Sequence, residues 1–212
     1  MKTPYIQQSL TYTDDGRLMD SNGYAVMMDW EDQLMKAGAD TICKNGGRVL
    51  NVGFGMGIID SYIQEHDVEE HWIIELHPDV YTKMLKDGWH LKKNVKILFG
   101  DWRHYLQYLP KFDGVYIDTW DEVLYDFHAY VHNILKPNGI YSYFNNPRGD
   151  EAGLHTDQES YDILSKNFNM EYDSFEIEKI DSIERQTATG QFYWHPDWKT
   201  YYSPRFSLVN SK

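Results

Sequence analysis

One stretch, Arg48-Val-Leu-Asn-Val-Gly-Phe-Gly-Met-Gly57, constrains the fold of this chain more than any other. Its first five residues predict a short buried strand, and glycines at every second position then predict a tight turn. A helix over residues 58–64 is predicted to follow. In a strand, glycine turn and helix of this kind, backbone N–H groups and the helix N-terminus face a nucleotide-like ligand. The stretch therefore predicts an adenosine-bearing ligand at the end of this strand.

A second apolar strand, His71-Trp-Ile-Ile-Glu75, ends in an acidic residue 20 positions beyond Gly55. A carboxylate at about this spacing suits a ribose diol, because it accepts hydrogen bonds from both hydroxyls. The glycine turn alone has an alternative explanation, since glycines also serve ordinary tight turns. Together with Glu75, the turn predicts a nucleotide site.

Strands alternate with helical patterns along most of the chain. The predicted strands are 48–52, 71–75, 95–99, 112–118, 139–144, 170–180 and 205–209. The predicted helices are 26–42, 58–64, 78–86, 102–109, 123–135 and 159–167. This order predicts an α/β fold with a mostly parallel seven-stranded sheet, helices on both faces, and an antiparallel C-terminal hairpin at the edge. Ligands of such sheets lie outside the carboxyl ends of the strands, where Gly53, Glu75, Asp101 and Asp118 are predicted to meet.

The length of 212 residues fits one domain, which we assign to residues 25–212, with residues 1–24 as an N-terminal arm or lid. A net charge of −13 argues against a nucleic-acid partner, which would require a basic face. The same charge either serves solubility or attracts a cationic substrate. No apolar run approaches membrane-spanning length and the first residues lack a signal-peptide core, so we expect a cytoplasmic protein without a membrane partner.

Other acids are candidates for binding, each with a structural alternative. Asp101 could accept from an adenine amino group while the indole of Trp102 stacks near the ring, or Asp101 could cap the helix that follows. Asp118 is predicted to face the crevice, where a carboxylate needs a cation, although a helix N-cap or a turn acid explains it equally well. For Glu31, on the predicted first helix, the residues alone favour a solvated face.

His128 and His132 are spaced i, i+4 and could share a metal ion, but no third ligand accompanies them. We therefore predict no metal site. The chain contains neither a Gly-x-Ser-x-Gly motif nor a phosphate-loop lysine, which removes support for acyl transfer and for nucleotide hydrolysis.

Four segments of the chain resemble one family closely: guanidinoacetate N-methyltransferase and its relatives that methylate arginine side chains. The segments are Val26-Met-Met-Asp-Trp-Glu31, Gly46-Gly-Arg-Val-Leu-Asn-Val-Gly-Phe-Gly-Met56, Glu70-His-Trp-Ile-Ile-Glu75 and Leu135-Lys-Pro-Asn-Gly139. The resemblance extends from residue 26 to about residue 145 and is weaker at Tyr201-Tyr-Ser-Pro-Arg-Phe206. It implies a Rossmann-like class I methyltransferase fold with S-adenosylmethionine as the cofactor.

The resemblance also implies roles for individual residues. Glu31 and Asp118 match the family's guanidino-binding acids and are the implied catalytic residues. The implied cofactor-binding residues are Met27, Met35, Asn51, Gly53, Phe54, Gly55, Met56, Gly57, Ile58, Ile59, Glu75, Leu76, His77, Asp101, Trp102 and Asp118. The implied substrate-binding residues are Trp30, Glu31, Asp118, Trp120, Asn146 and Arg148.

A pair of carboxylates suits the implied chemistry. A guanidinium stays protonated near neutral pH, so its nitrogens are poor nucleophiles. Two carboxylates can hold its planar fork and aim one nitrogen at the methyl group, and one of them can take the proton as the methyl group transfers. We expect Asp118 to take it, because its strand end is predicted to be more buried than Glu31. The aromatic residues Trp30, Tyr116 and Trp120 are predicted to wall the site.

The chain departs from the family pattern at two places. Asn51 stands where the family's first strand usually ends in an acid. Its side chain can still bond the amino-acid end of the cofactor, but the cofactor ammonium loses a charge partner, which predicts weaker affinity. In Asn145-Asn-Pro-Arg-Gly149, Arg148 either clamps a substrate carboxylate or is solvated.

Three functions follow as hypotheses. The first is N-methylation of a small guanidino acid, such as guanidinoacetate or free arginine. The second is methylation of an arginine side chain in a protein or peptide, and the third is a cofactor-binding regulatory subunit without turnover. The presence of both Glu31 and Asp118 argues against the third, because a protein that only binds the cofactor needs neither. The oligomeric state stays open between a monomer and a homodimer.

Overall fold

The structure, a computed structural model, describes residues 4–119, 123–145, 156–176 and 200–209. Its first three strands, β1 (Thr11–Tyr12), β2 (Arg17–Met19) and β3 (Ala25–Met28), form a small antiparallel sheet. Residues 29–31 then form a turn of 3-10 helix before the first α-helix, α1 (Asp32–Ile42). Much of the N-terminal arm is therefore a folded hairpin that leads into the main domain.

The main sheet follows from residue 48 onward. Its elements are, in chain order, β4 (Arg48–Val52), α2 (Ile58–Ile63), β5 (Glu70–Glu75), α3 (Pro78–Lys86), β6 (Val95–Phe99), β7 (Phe112–Ile117), α4 (Val123–Tyr130), β8 (Leu135–Tyr143), α5 (Gln158–Leu164), β9 (Phe168–Glu176) and β10 (Thr200–Leu208). The strand order is β6-β5-β4-β7-β8-β10-β9. Strands β4 to β8 pair in parallel, whereas β10 pairs antiparallel with both β8 and β9. The predicted seven-stranded, mostly parallel sheet with an antiparallel edge hairpin is confirmed.

Apolar cores cover both faces of this sheet. Successive side chains of β4 point to opposite faces, so Val49 packs with residues of α1, α2 and α3 while Leu50 packs with residues of α4 and α5. Both side chains are fully buried. Strands that are buried on two faces need nearly continuous apolar runs, and such runs made these strands recognisable in the sequence.

The register of the parallel strands aligns their carboxyl ends. Val52 of β4 lies beside Ile74 of β5 and Ile117 of β7. Glu75, at the end of β5, lies beside Phe99 of β6. The strand order reverses between β4 and β7, so the crevice expected to hold a ligand opens at this edge of the sheet.

Several predicted helix boundaries were wrong. The helix predicted over residues 26–42 begins at residue 32, because residues 25–28 pair with β2 as a strand. Its apolar residues mimic a helical period, and only the pairing with β2 distinguishes the two structures. The helix predicted over residues 102–109 is a 3-10 turn followed by further turns, and the helix predicted over residues 123–135 ends at Tyr130.

Two strands near the hairpin begin earlier than predicted. β8 begins at Leu135 rather than at residue 139, and β10 begins at Thr200 rather than at residue 205. β10 pairs along its whole length with β9, and this nonlocal ladder carries the strand beyond its most apolar residues. Residues 177–199, which include the last four residues of the strand predicted over 170–180, lie outside the described residues.

Two glycines allow α1 to pack closely on β7. A Cβ atom at Gly38 of α1 would lie 2.6 Å from the ring of Tyr116. A Cβ atom at Gly114 of β7 would overlap the backbone carbonyl oxygen of Ile42. This contact fixes α1, and with it the turn that carries Glu31, relative to the end of β7.

Gly114→Ala should destabilise the protein by about 2 kcal/mol or more, because the added methyl group must push α1 away from β7. Gly88→Ala is the matched control. Its added Cβ atom would meet only Leu91, at 3.9 Å, so it should cost only the strain of its positive φ, about 1 kcal/mol. Chemical denaturation measures both losses, and equal losses would contradict the close packing of α1 on β7.

Candidate active site

The glycine turn passes through a gap that is too narrow for side chains. Gly53 has a φ of +93°, and a Cβ atom there would overlap the backbone carbonyl oxygen of Asp118. A Cβ atom at Gly55, where φ is +54°, would lie 2.7 Å from the sulfur of Met27. The backbone nitrogen of Met56 lies 3.2 Å from the same sulfur. The turn is therefore held between the end of β7 and strand β3, which brings Met27 to the predicted cofactor site.

Glu75 is buried at the end of β5, next to the glycine turn. Its Oε2 atom accepts from the backbone N–H of Phe54 at 2.8 Å, and its Oε1 atom accepts from that of His77 at 2.6 Å. Burial, with a smaller contribution from the charge of Asp60, raises the pKa of the Glu75 carboxyl in spite of these bonds. The backbone N–H of Gly55 also bonds this carboxylate, which has about four lone-pair sites and can therefore still accept from the ribose.

His77 anchors the N-terminal arm. Its Nδ1 atom accepts from the backbone N–H of Asp79, so its Nε2 atom carries the proton and donates to the carbonyl oxygen of Gln8 at 3.0 Å. Tyr12, in the same arm, donates from its hydroxyl to the carbonyl oxygen of Gly55 at 2.9 Å. The arm therefore lies across the glycine turn, and the ring nitrogens of His77 are engaged with protein.

The remaining residues predicted for the cofactor site lie around the same edge. Met35 and Ile59 are buried in the core, while Leu76 is 37% exposed. Gly57, with a φ of +73°, is the N-cap of α2, and Ile58 is its first residue. Their roles toward a cofactor stay predictions.

Asp101 caps the 3-10 turn that follows β6. Capping was the structural alternative to adenine binding that the sequence left open for this residue. It accepts from the backbone N–H of Arg103 at 2.9 Å and pairs with the guanidinium of the same residue at 2.6 Å. This pairing holds the pKa of Asp101 below its usual value. The indole of Trp102 is buried and meets the ring of Phe127 edge-on at 5.0 Å. Contact of either residue with an adenine ring stays a prediction.

Glu31 is buried, with 1% of its surface exposed. It closes the 3-10 turn before α1, and its Oε1 atom accepts from the backbone N–H of Met28 at 2.8 Å. The solvated helix face that the residues alone favoured was therefore wrong. Strand β3, which the sequence pattern did not reveal, carries Glu31 into the interior.

Asp118 follows β7 directly, and its backbone N–H donates to the carbonyl oxygen of Val52 at 2.9 Å. Its side chain is half-buried, whereas Glu31 is almost fully buried. The prediction that Asp118 would be the more buried of the two acids was therefore wrong. The surrounding protein nevertheless displaces enough water that burial, followed by the charge of Asp60, raises the pKa of Asp118 to about 7. A carboxyl with this pKa exchanges its proton near neutral pH and favours a cation beside it.

An aromatic wall lies beside the two acids. Tyr116 is buried on β7, and after burial itself the charges of Asp118 and Glu31 both raise the pKa of its hydroxyl. Tyr201 of β10 lies against Trp30, with 5.6 Å between ring centroids, and burial, followed by the charge of Glu31, raises the pKa of Tyr201. Trp30 and Tyr116 were predicted for this wall from the sequence, whereas Tyr201 was not. The weak resemblance around residues 201–206 was the available signal.

Three predicted substrate residues, Trp120, Asn146 and Arg148, lie outside the described residues. Within the described part of the chain, no group of three side chains suited to a metal ion occurs. His128 instead lies with its Nδ1 atom 2.7 Å from the hydroxyl of Tyr141. No helix in these ranges is both long enough and apolar enough to cross a membrane.

Comparison with known proteins gives a family match. A model of the guanidinoacetate N-methyltransferase family matches residues 2–171. Protein arginine N-methyltransferase 2 of Candida glabrata is 37% identical over 211 residues, covering 91% of this chain and 51% of that protein. The protein of the same name from Yarrowia lipolytica is 39% identical over 82% of this chain and 40% of its own length. That from Saccharomyces cerevisiae is 33% identical over 91% of this chain and 52% of its own length. The chain spans about half the length of the curated relatives that it matches.

Solved structures with a similar fold are more distant in sequence. TYW2 of M. jannaschii in complex with AdoMet has a TM-score of 0.59 at 14% identity and covers 99% of this chain and 90% of its own. Spermidine synthase from Thermotoga maritima has a TM-score of 0.60 at 15% identity and covers 94% of this chain and 72% of its own. These likenesses confirm the predicted Rossmann-like class I methyltransferase fold.

The raised pKa of Asp118 should make the stability of the protein depend on pH. Between its ordinary pKa, 3.8, and about 7, the folded state binds one proton more than the unfolded state, so stability falls as pH rises through this range. Asp118→Asn cannot titrate and should lack this fall. We therefore compare the free energy of unfolding of the variant with that of wild type at two pH values. The difference, variant minus wild type, should be about 1–3 kcal/mol larger at about pH 8 than at about pH 5.

Urea denaturation of both proteins at the two pH values measures this difference. Asp14→Asn is the control, because it removes an exposed carboxylate and should keep the wild-type pH dependence. An identical pH dependence in Asp118→Asn and wild type would show that Asp118 titrates like an ordinary surface acid.

Proposed function

The chain belongs to the guanidinoacetate N-methyltransferase family, and on that premise we propose that it methylates a guanidino nitrogen of an arginine side chain in a protein or peptide, with S-adenosylmethionine as methyl donor. The observation that carries this proposal is a pair of acids, Glu31 in the turn that leads into α1 and Asp118 at the end of β7, on two elements that pack closely together. The substrate class is supported by the relatives named as protein arginine methyltransferases, at 33% to 39% identity. The small guanidino acid, placed first on the sequence alone, becomes the second candidate.

Two features of the chain fit the cofactor. The buried carboxylate of Glu75 retains an acceptor site for the ribose at the end of β5, and Oδ1 of Asn51 is a buried acceptor without a partner in the described part of the chain. We therefore assign the ribose to Glu75 and the amino-acid end to Asn51. S-adenosylmethionine supplies a methyl group on a positively charged sulfur, which a nitrogen nucleophile can attack.

Glu31 and Asp118 hold the guanidinium in this proposal. Charge-assisted hydrogen bonds from the planar fork to two carboxylates fix both its position and the direction of each nitrogen. Alignment of one nitrogen with the methyl carbon accounts for roughly several kcal/mol of the barrier. Trp30, Tyr116 and Tyr201 exclude water and offer ring faces on which a guanidinium can stack.

Asp118 accepts the proton in this mechanism. As the nitrogen–carbon bond forms and the carbon–sulfur bond breaks, the methylated nitrogen loses a proton to a carboxylate oxygen of Asp118. A pKa of about 7 makes the protonated form stable near neutral pH, and the bound guanidinium lowers this pKa so that the carboxylate is present when the substrate binds. The assignment now rests on this pKa, since the greater burial expected for Asp118 was wrong. Glu31 remains the charged anchor.

The arm gives the small-molecule alternative no independent support. An arm closed over the substrate would have favoured a small guanidino acid. Hydrogen bonds of the described arm to Gly55, His77 and Asp79 place it over the cofactor side of the site. A cover over the cofactor is compatible with either substrate, so the relatives carry the choice between them.

A methyl-transfer assay tests the proposal. With a cofactor that carries a labelled methyl group, we expect label in proteins of a cell extract and in a synthetic arginine peptide. A matched peptide with lysine in place of arginine should stay unlabelled, because it lacks the guanidinium. Guanidinoacetate and free arginine are assayed in parallel. Label in the small molecules alone would favour the second candidate, and cofactor binding without any transfer would favour a regulatory subunit.

Asp118→Asn should lower kcat about a hundredfold or more, which corresponds to about 2.7 kcal/mol of transition-state stabilisation, with cofactor affinity little changed. Wild-type kcat/KM, which reports the pKa of the free enzyme, should rise as pH increases toward about 7, because only the carboxylate can accept a proton, and this rise should be absent in the variant. Asp14→Asn should behave like wild type. Turnover of Asp118→Asn at the wild-type rate would remove Asp118 from the mechanism.

A further inference from the structure

A buried polar cluster lies behind the glycine turn. Asp60, in the first turn of α2, accepts at Oδ2 from the side-chain amide of Asn51 at 2.9 Å, and its Oδ1 atom lies 2.9 Å from Nε2 of His71. All three residues are 0% exposed. A carboxylate without solvent is costly to bury, and a hydrophobic side chain would fill the same space at lower cost. The cluster therefore has a reason beyond packing.

The directions of its hydrogen bonds follow from one another. The amide nitrogen of Gln64 donates to Nδ1 of His71 at 3.0 Å, so Nε2 of His71 carries the proton that Asp60 accepts. The side chain of Asn51 faces two acceptors, Oδ2 of Asp60 and the carbonyl oxygen of Gly53 at 2.8 Å. Only its NH₂ end can serve both. Asp60 thereby prevents the Asn51 amide from flipping.

The oxygen of the same amide is left for a ligand. Oδ1 of Asn51 is buried and has no hydrogen-bond partner among residues that the structure describes. An unsatisfied buried acceptor is unusual, because it forgoes the hydrogen bond that water would supply. Asn51 lies two residues before Gly53, on the face of β4 that carries α1 and α2. Its oxygen is therefore available at the end of β4, where we have placed the amino-acid end of the cofactor.

The charge of Asp60 also reaches this end of the sheet. After burial, it contributes to raising the pKa values of both Glu75 and Asp118. The field that disfavours a second negative charge there favours a positive one. Asn51 itself is neutral, but its amide donates a hydrogen bond to the negatively charged carboxylate of Asp60.

We infer that Asp60 and Asn51 together form the site for the ammonium group of the cofactor. Asp60 supplies the negative charge and orients the amide of Asn51, whose Oδ1 atom accepts from the ammonium group of the bound cofactor. Asp60 is thus a positioning residue that the sequence analysis did not identify. The inference rests on the proposed function, since it requires that S-adenosylmethionine binds, and it replaces the expectation that Asn51 weakens this binding.

Asp60→Asn removes the charge and allows the two amides to take either orientation. We expect its Kd for S-adenosylhomocysteine, measured by calorimetry, to rise about tenfold or more. Its Kd for 5′-methylthioadenosine, which lacks the amino-acid end, should stay at the wild-type value. A structural collapse of the site would weaken both ligands equally. Asp40→Asn, which removes an equal charge from the surface of α1, should leave both affinities unchanged.

An exchange of the two residues gives a second test that includes the ligand-free protein. Asn51→Asp alone places two carboxylates in contact and should lower the Tm of the ligand-free protein. The double variant Asn51→Asp with Asp60→Asn again pairs one acid with one amide. It should recover the Tm and bind S-adenosylhomocysteine within about threefold of wild type, in contrast to Asp60→Asn. If Asp60→Asn does not fold, the double variant is compared with Asn51→Asp instead. A higher Tm and a near-wild-type Kd for S-adenosylhomocysteine in the double variant would then support the inference.

Three results would overturn the inference: an unchanged Kd for S-adenosylhomocysteine in Asp60→Asn, equal losses for both ligands, or no recovery in the double variant. Failure of the wild-type chain to bind S-adenosylhomocysteine would overturn the proposed function itself. The two failures are therefore distinguishable.

Discussion

The close approach of the glycine turn to the end of β7 is the constraint on which the site depends. Without a Cβ atom at Gly53, the backbone of Asp118 comes nearer to β4 than any side chain would allow. The parallel register of β4 with β5 and β7 then brings Glu75 to the same edge. Because backbone contacts set these positions, the acids are in place before any ligand binds. Such preorganisation is what electrostatic catalysis requires.

Negative charge accumulates at this edge of the sheet. Glu31, Asp60 and Glu75 are buried, and Asp118 is half-buried beside them. Burial, and after it the charge of Asp60, makes the ionisation of Glu75 and of Asp118 less favourable, and backbone N–H donors offset only part of the cost at Glu75. Cations would relieve the rest, and both ligands of the proposed reaction are cationic at the atoms concerned. The sulfonium, ammonium and guanidinium groups that the protein is proposed to bind would therefore offset the cost of burying these carboxylates.

The parallel part of the sheet was predictable because its signals are local. Strands buried on two faces appear as apolar runs, and glycine, proline and asparagine separate them from the helices. Residues 26–28 were assigned to a helix instead of to strand β3, because a short apolar run fits either period and the deciding partner, β2, is not a local signal. The same error hid the burial of Glu31, since a residue on a solvated helix face and one carried inward by a strand have the same neighbours in sequence.

By itself, the sequence determined the seven strands of the main sheet in chain order, the glycine turn with Glu75 beyond it, and the resemblance that singled out Glu31 and Asp118. Short-range patterns suffice for these features, because they record local conformation and the need for apolar faces. Only the tertiary structure decided that Glu31 is more buried than Asp118, that Tyr201 joins the aromatic wall, and that Asp60 orients Asn51. Exposure, pKa and hydrogen-bond direction depend on which distant segments exclude water from a group, and that information is created only when the chain packs.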